Sequence, residues 1–161
     1  MVDSVHTGRW ISQFDGEAVD FMLFPSTPHR RIHSLIKQRM TLKVETRVRI
    51  SQWMNWAALP LGIADLVCAN FFRAKLLSRE IKKFEPDLIH IMETQHAGYL
   101  TDRALKTVKF KPKVILSIWG SDLFWFQRFP KHHKKIGSVI NKVDLLVVEC
   151  QRDRELALTF G

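Results

Sequence analysis

Cysteine is scarce in this chain of 161 residues, which contains only Cys68 and Cys150. Each sits inside an apolar periodic segment, so the two read as reduced core thiols, and a disulfide scaffold is excluded. Long apolar runs are lacking too: none reaches the ~18 residues of a membrane-spanning helix. Residues 1–20 carry Asp3, Arg9, Asp15, Glu17 and Asp20 where a secretory leader needs an unbroken apolar stretch. The expectation is a soluble, cytoplasmic protein. Neither G-x-G-x-x-G nor G-x-x-x-x-G-K-[ST] occurs, which removes the ordinary dinucleotide and P-loop readings. Without C-x-x-C, H-E-x-x-H or D-x-D, a dedicated metal site has no support. Adjacent His132 and His133, set among lysines, make a poor metal pair. Gly120-Ser121-Asp122 lacks the flanking glycines of a hydrolase nucleophile elbow. Repeats and low-complexity linkers are also missing.

What is present suffices for one globular domain, since 46% of the residues are hydrophobic. A formal charge of +9 and a pI near 9.9 call for an anionic partner, without choosing among nucleic acid, anionic lipid and phosphorylated ligands. The cations fall into two groups. Arg128, Lys131, His132, His133, Lys134 and Lys135 crowd the start of one expected helix, just after Trp125 and Phe126. Arg73, Lys75, Arg79, Lys82 and Lys83 line another. Either group is a solvated face or a contact with an anionic membrane surface. Nucleic acid is disfavoured, because the aromatics lie within apolar runs and form no stacking row among the cations.

The pattern along the chain is regular. Trp10, Ile11 and Phe14 predict a helix over Thr7–Phe14, capped by Ser4 or Thr7 and stopped at Gly16. Val19–Phe24 reads as a strand feeding the loop "PSTPHR", and residues 42–50 alternate with period two, as in a half-exposed strand near an edge. After "PLG" at 60–62, apolar positions from Ile63 through Leu66, Val67, Asn70, Ala74, Leu77 and Ile81 to Phe84 predict one long amphipathic helix ended by Pro86. Then strands at Leu88–Met92, Val114–Trp119 and Asp144–Glu149 alternate with helices at Gly98–Thr107, Lys131–Asn141 and Arg152–Phe160. The fold class is α/β: a doubly wound parallel sheet with helices on both faces, in three layers.

Ligands of such sheets sit beyond the carboxyl ends of the strands. Those ends are Pro25–His29; Glu93, Thr94, Gln95 and His96; Trp119, Gly120, Ser121 and Asp122; and Glu149 with Cys150. Strand-to-helix turns there also offer free backbone N–H groups to anions. Each candidate has a structural alternative. Gly120-Ser121-Asp122 is either a cleft edge or a turn with a helix cap, and His96 either contacts ligand, caps or packs. Glu93 follows a buried strand, where a carboxylate is costly unless paired or used. Glu149 either joins the cleft or pairs with Arg152 or Arg154. His90 and Met92 lie within a strand and read as core.

Four segments, "DSVHTGRWISQF", "PDLIHIMETQHAGYL", "PKVILSIWGSDLF" and "VDLLVVECQRDRELAL", in this order and spacing, resemble the amino-terminal half of family 4 glycosyltransferases of the GT-B type, also called glycosyl transferases group 1. The resemblance implies a Rossmann-like domain, residues 1–161, that faces a second such domain across a cleft. It places the acceptor mainly on the first half and the nucleotide-sugar donor mainly on the second. It implies transfer with retention at the anomeric carbon, no divalent metal, and no cofactor beyond the nucleotide-sugar co-substrate. A glycan or lipid-linked acceptor, at the inner face of a membrane, would suit the cationic surface formed by Arg128, Lys131, Lys134 and Lys135.

By the same resemblance "SIWGSD" matches a sugar-contacting loop, Thr-x-His-Gly-x-Asp, through Gly120 and Asp122, with Trp119 in place of the histidine. Asp3, His6, Thr7 and Gly8 correspond to a first loop that approaches both substrates, and Glu93, Gln95 and His96 to the acceptor side. By the resemblance, the family's first strand and its donor-binding domain, with two glutamates separated by seven residues, are expected to lack a counterpart here; Glu85 and Glu93 share that spacing by coincidence. The chain is therefore expected to be inactive alone, and to self-associate or take up a replacement strand at its sheet edge. The competing reading is a non-enzymatic basic Rossmann-like module that binds anionic lipid or nucleic acid.

Overall fold

The computed structural model describes residues 5–27, 31–41, 46–51, 65 and 70–161. The chain divides into two compact units, Met1–Ala69 and Asn70–Gly161. The architecture is α/β and Rossmann-like, and every described strand pair is parallel.

In the first unit, α1 (Val5–Ser12) precedes β1 (Asp20–Leu23), α2 (Ser34–Thr41) and β2 (Arg47–Ile50). The two strands pair from Asp20↔Arg47 to Leu23↔Ile50. Ile11, Ile36 and Val48 form the buried core, one from each helix and one from β2. The ring centroids of Trp10, Phe14 and Phe21 lie 5.0–5.7 Å apart beside it, the tilted and edge-on geometry that aromatic quadrupoles favour. A Cβ on Gly8 would meet the Leu35 Cβ at 2.9 Å, so glycine here permits the close approach of α1 and α2. The expected cap at Thr7 is corrected, since Thr7 is buried inside α1. Asp3, Ser4, residues 42–45, "PLG" at 60–62, Ile63, Leu66, Val67, Cys68 and His29 lie outside the described residues.

In the second unit, α3 (Phe71–Phe84) leads into β3 (Leu88–Met92), a π turn (Thr94–Gly98) and α4 (Tyr99–Leu105). These are followed by β4 (Lys113–Ser117), a short α5 (Ser121–Phe124), a 3-10 turn (Phe126–Arg128), α6 (Pro130–Ile140), β5 (Leu145–Val147) and α7 (Gln151–Leu158). Ala74, Leu77, Ser78 and Ile81 give α3 its buried stripe at helical spacing. The expected unbroken helix over 63–84 is corrected: Asn70 holds a left-handed conformation at φ 66°, which helix geometry cannot accommodate and asparagine tolerates, and α3 begins after it. At the other end Glu85 turns left-handed, returns its N–H to the Ile81 carbonyl at 2.8 Å, and Pro86 stops the helix.

The sheet order is β3-β4-β5. Strand β4 is central and the most deeply buried of the three: Val114 and Leu116, with Ile118 just past its end, alternate onto a core completed by Ile91, Leu123, Ile136, Val139, Ile140 and Ala157. His90, Ile115 and Ser117 occupy the other face, where His90 Nε2 and Ser117 Oγ lie 2.8 Å apart. Burial lowers the His90 pKa below the usual histidine value. Asp144 fastens the start of β5 to β4 by accepting from the Val114 N–H and from Lys113 Nζ, both at 2.8 Å. Cys150 is exposed at the amino terminus of α7, which corrects its expected place in the core.

The central position of β4 sets a stability test. Leu116→Ala, at a fully buried site, should cost about 2–5 kcal/mol by transfer and cavity terms. Leu145→Ala, at a position 52% exposed on β5, should cost less than about 1 kcal/mol. Urea denaturation of both variants reads the difference, and equal losses would contradict the described core.

Candidate functional site

Parallel register brings the carboxyl ends of three strands level. Met92 pairs with Ser117, and Ser117 with Val147, so the segments starting at Glu93, Ile118 and Val148 leave the sheet along one rim. The Glu93 N–H continues the ladder to the Ser117 carbonyl at 3.1 Å and the Ile118 N–H to the Val147 carbonyl at 2.9 Å.

The first segment is strained. Glu93 sits at φ 117°, ψ 140°, a conformation that side-chain-bearing residues rarely adopt. The chain then closes a π turn in which the Gly98 N–H reaches the Glu93 carbonyl at 3.0 Å. Such turns are rare and frequent at functional sites. The Glu93 carboxylate remains partly exposed, 3.6 Å from the exposed imidazole of His96.

The second segment is tied to the first by Asp122. Its Oδ2 accepts the Thr94 N–H at 3.2 Å and the Trp119 N–H at 3.4 Å, while Gln95 Nε2 donates to the Asp122 carbonyl at 2.6 Å. Burial pushes the Asp122 carboxyl above the ordinary carboxylate range, and these two backbone N–H groups partly oppose the shift. Gly120 makes the turn at φ 39°, and a Cβ there would meet open space, so its glycine serves the backbone angle and not packing. Beyond it Ser121 and Trp119 are exposed.

The third segment contributes Arg152. Its Nη2 donates to the Gly120 carbonyl at 3.3 Å, its Nε to Asp153 Oδ1 at 2.9 Å, and its guanidinium carbon lies 4.2 Å from the centre of the Phe124 ring. The Arg128 guanidinium approaches the same ring at 4.4 Å. Asp153 is wholly buried, and its Oδ2 has no hydrogen-bond partner among the described residues. Glu149 is exposed just past β5; of its alternatives, the pairing with Arg152 does not form, because Arg152 turns to Asp153 and Gly120.

These three loops form a rim whose bonded backbone donors lie inside and whose exposed side chains lie outside. A profile of the family described as glycosyl transferase 4-like matches residues 1–150. The chain belongs to the glycosyl transferase 4-like family. Its general function is accordingly glycosyl transfer. No curated protein and no solved structure matches the chain.

In this glycosyl transferase 4-like domain the sequence-derived residues separate by role. Glu93, His96, Trp119 and Ser121 present polar or aromatic surface along the rim, whereas Gln95 and Asp122 are buried and hold its first two loops together. His6, Thr7 and Gly8 lie in the first turns of α1 in the first unit, with Thr7 and Gly8 buried. Asp153 and Phe124 escape the sequence reading, which places Thr94 at a strand end without a role and takes Arg152 only as a partner for Glu149. An acidic residue in the first turn of a helix, next to an arginine, was the available signal for the Arg152–Asp153 pair. Tyr99, which ends the π turn, meets His132 Nδ1 at 3.0 Å, and burial raises its phenol to about 12.

Asp122 gives a test of the rim. With a raised folded pKa, its contribution to stability is full below the unfolded value of 3.8 and is lost as pH rises through the raised value. Asp122→Asn keeps an acceptor oxygen for both N–H groups and should match or exceed the parent near pH 7. Asp122→Ala should lose about 1–3 kcal/mol by orphaning them. Denaturation at pH 4 and pH 7 checks this, and an Asn variant that weakens more steeply with rising pH than the parent would refute it.

Proposed function

We propose that this chain is the acceptor-side part of a retaining GT-B glycosyltransferase, which moves a sugar from a nucleotide-sugar to a glycan or lipid-linked acceptor and works only with a donor-binding domain. The observation that carries the reading is the family match together with the level rim: Glu93 and His96 follow β3, and Trp119 and Ser121 follow its parallel neighbour β4. In this reading the Glu93 carboxylate accepts the hydrogen of the attacking hydroxyl, and the strained backbone fixes its direction. The exposed Trp119 indole offers an apolar face to a sugar ring, and the Gly120 turn lets a substrate approach the main chain. Arg152, held by Asp153 and Gly120, supplies fixed positive charge beside phosphate-bearing substrates. Retention follows from the family's chemistry, in which the acceptor attacks from the face the leaving nucleotide departs.

A specific patch supports work at an anionic membrane surface. Trp125 and Phe129 are 51% and 46% exposed, and Arg128, Lys131, Lys134 and Lys135 are exposed around them. Aromatic rings beside lysines and arginines suit the boundary between headgroups and acyl chains. No described helix is long and apolar enough to cross a membrane.

Joining the chain to a donor-binding domain and assaying a panel of nucleotide sugars tests the enzymatic reading. The chain alone should give no transfer, the joined protein should transfer, and Glu93→Gln should lower kcat/KM about tenfold or more through loss of a charge-assisted hydrogen bond. Transfer unaffected by Glu93→Gln would remove the role given to Glu93. For the surface, Trp125→Ser with Phe129→Ser should reduce cosedimentation with phosphatidylglycerol vesicles several-fold, and no change would withdraw the membrane proposal.

A further inference from the structure

At the opposite end of the three-stranded sheet, where β4 and β5 begin, the second unit holds a cavity of about 590 Å³. Ile91, Val114 and Val139, each 5% exposed or less, reach it from below, and Leu105 and Val143 line its sides. Its volume lies in the range of small-molecule pockets, about 300–1,000 Å³. The mouth is formed by residues 106–112, which connect α4 to β4, and by residues 141–144, which connect α6 to β5.

The charge around this mouth is one-sided. Lys106, Lys109, Lys111, Lys113 and Lys142 line it, against the carboxylates of Asp102 and Asp144 alone. Both carboxylates are engaged: Lys113 Nζ lies 2.8 Å from Asp144 Oδ1, and Lys142 Nζ lies 2.5 Å from Asp102 Oδ1. Among the described residues Lys106, Lys109 and Lys111 have no carboxylate partner. A merely solvated lysine face covers its core with its own aliphatic stems. Here the core side chains instead line a hollow beneath three unpaired ammonium groups.

We propose that this cavity binds a small amphiphile bearing a phosphate ester, its anionic head against Lys106, Lys109 and Lys111 and its apolar body on the partly exposed Leu105, Val108 and Val143. The apolar floor selects against free inorganic phosphate, and the cationic mouth selects against a neutral amphiphile of the same shape. Because the cavity lies at the end of the strands remote from Glu93 and Trp119, its occupant differs from the substrates of the rim. The assignment stands whether or not the chain takes part in sugar transfer.

Calorimetric titration of the full chain with decyl phosphate, below the concentration at which it forms micelles, tests the assignment. Saturable binding at one equivalent is expected, with decyl glucoside and inorganic phosphate each at least about tenfold weaker. The exposed pair K109E/K111E should weaken decyl phosphate binding about tenfold, as expected for loss and inversion of two partly screened charges. No saturable binding, equal affinity for decyl glucoside, or indifference to K109E/K111E would overturn the proposal. Cosedimentation with phosphatidic acid vesicles separates the two sources of such a head: a loss in K109E/K111E assigns the cavity to a lipid headgroup, and a loss confined to decyl phosphate assigns it to a free phosphate ester.

Discussion

Met92, Ser117 and Val147 are level across three parallel strands, and that register determines what each end of the second unit can do. A parallel sheet aligns chain direction as well as position, so every strand-to-helix connection emerges at one end and every helix-to-strand connection enters at the other. Loops far apart in sequence therefore become neighbours without direct selection for their contact. One end collects Glu93, Trp119 and Arg152; the other collects the lysine-rich connection ahead of β4. Slipping β4 by one residue would exchange its buried face for the face carrying His90's partner Ser117 and would dissolve both assemblies at once.

Within that frame, order at the rim comes from a few buried polar bonds. Asp122 gathers two backbone N–H groups onto one carboxylate oxygen, and Gln95 reaches back to the Asp122 carbonyl. The burial of a carboxylate opposes folding, as its raised pKa records, yet the same bonds fix the segment that holds Glu93 in its unusual conformation. Strain at one residue persists only where neighbours over-determine it. The ladder bond from Glu93 to Ser117 on one side and the closed π turn on the other do so here.

Much of this was legible in the sequence. The apolar runs at Leu88–Met92 and in β4 gave strands to within a residue or two, and Pro86 marked a helix end as expected from its fixed φ and missing N–H. The polar groups following those runs located the rim. Three kinds of feature were not legible. Asn70 fits the helical period while its backbone breaks it. Asp122 and Gln95 look like surface residues, and only the pairing of β3 with β4 brings them into reach of one another. Arg152 reads only as a partner for Glu149 and Asp153 does not stand out, whereas packing buries the Asp153 carboxylate entirely and directs the guanidinium onto Phe124. Periodicity reports which face of an element is apolar; it carries no information about which polar groups meet across a connection.

Phe124 has a place in this assembly beyond filling space. Two guanidinium groups, from segments more than twenty residues apart in sequence, converge on its single ring. Like charges gathered so closely repel, and the negative potential above an aromatic face attenuates that repulsion without neutralising either charge. The ring thus works as an electrostatic spacer. It lets the protein hold two cations at one spot with a single carboxylate, that of Asp153, which pairs with Arg152; Arg128 has no carboxylate partner among the described residues and stays available to an outside anion.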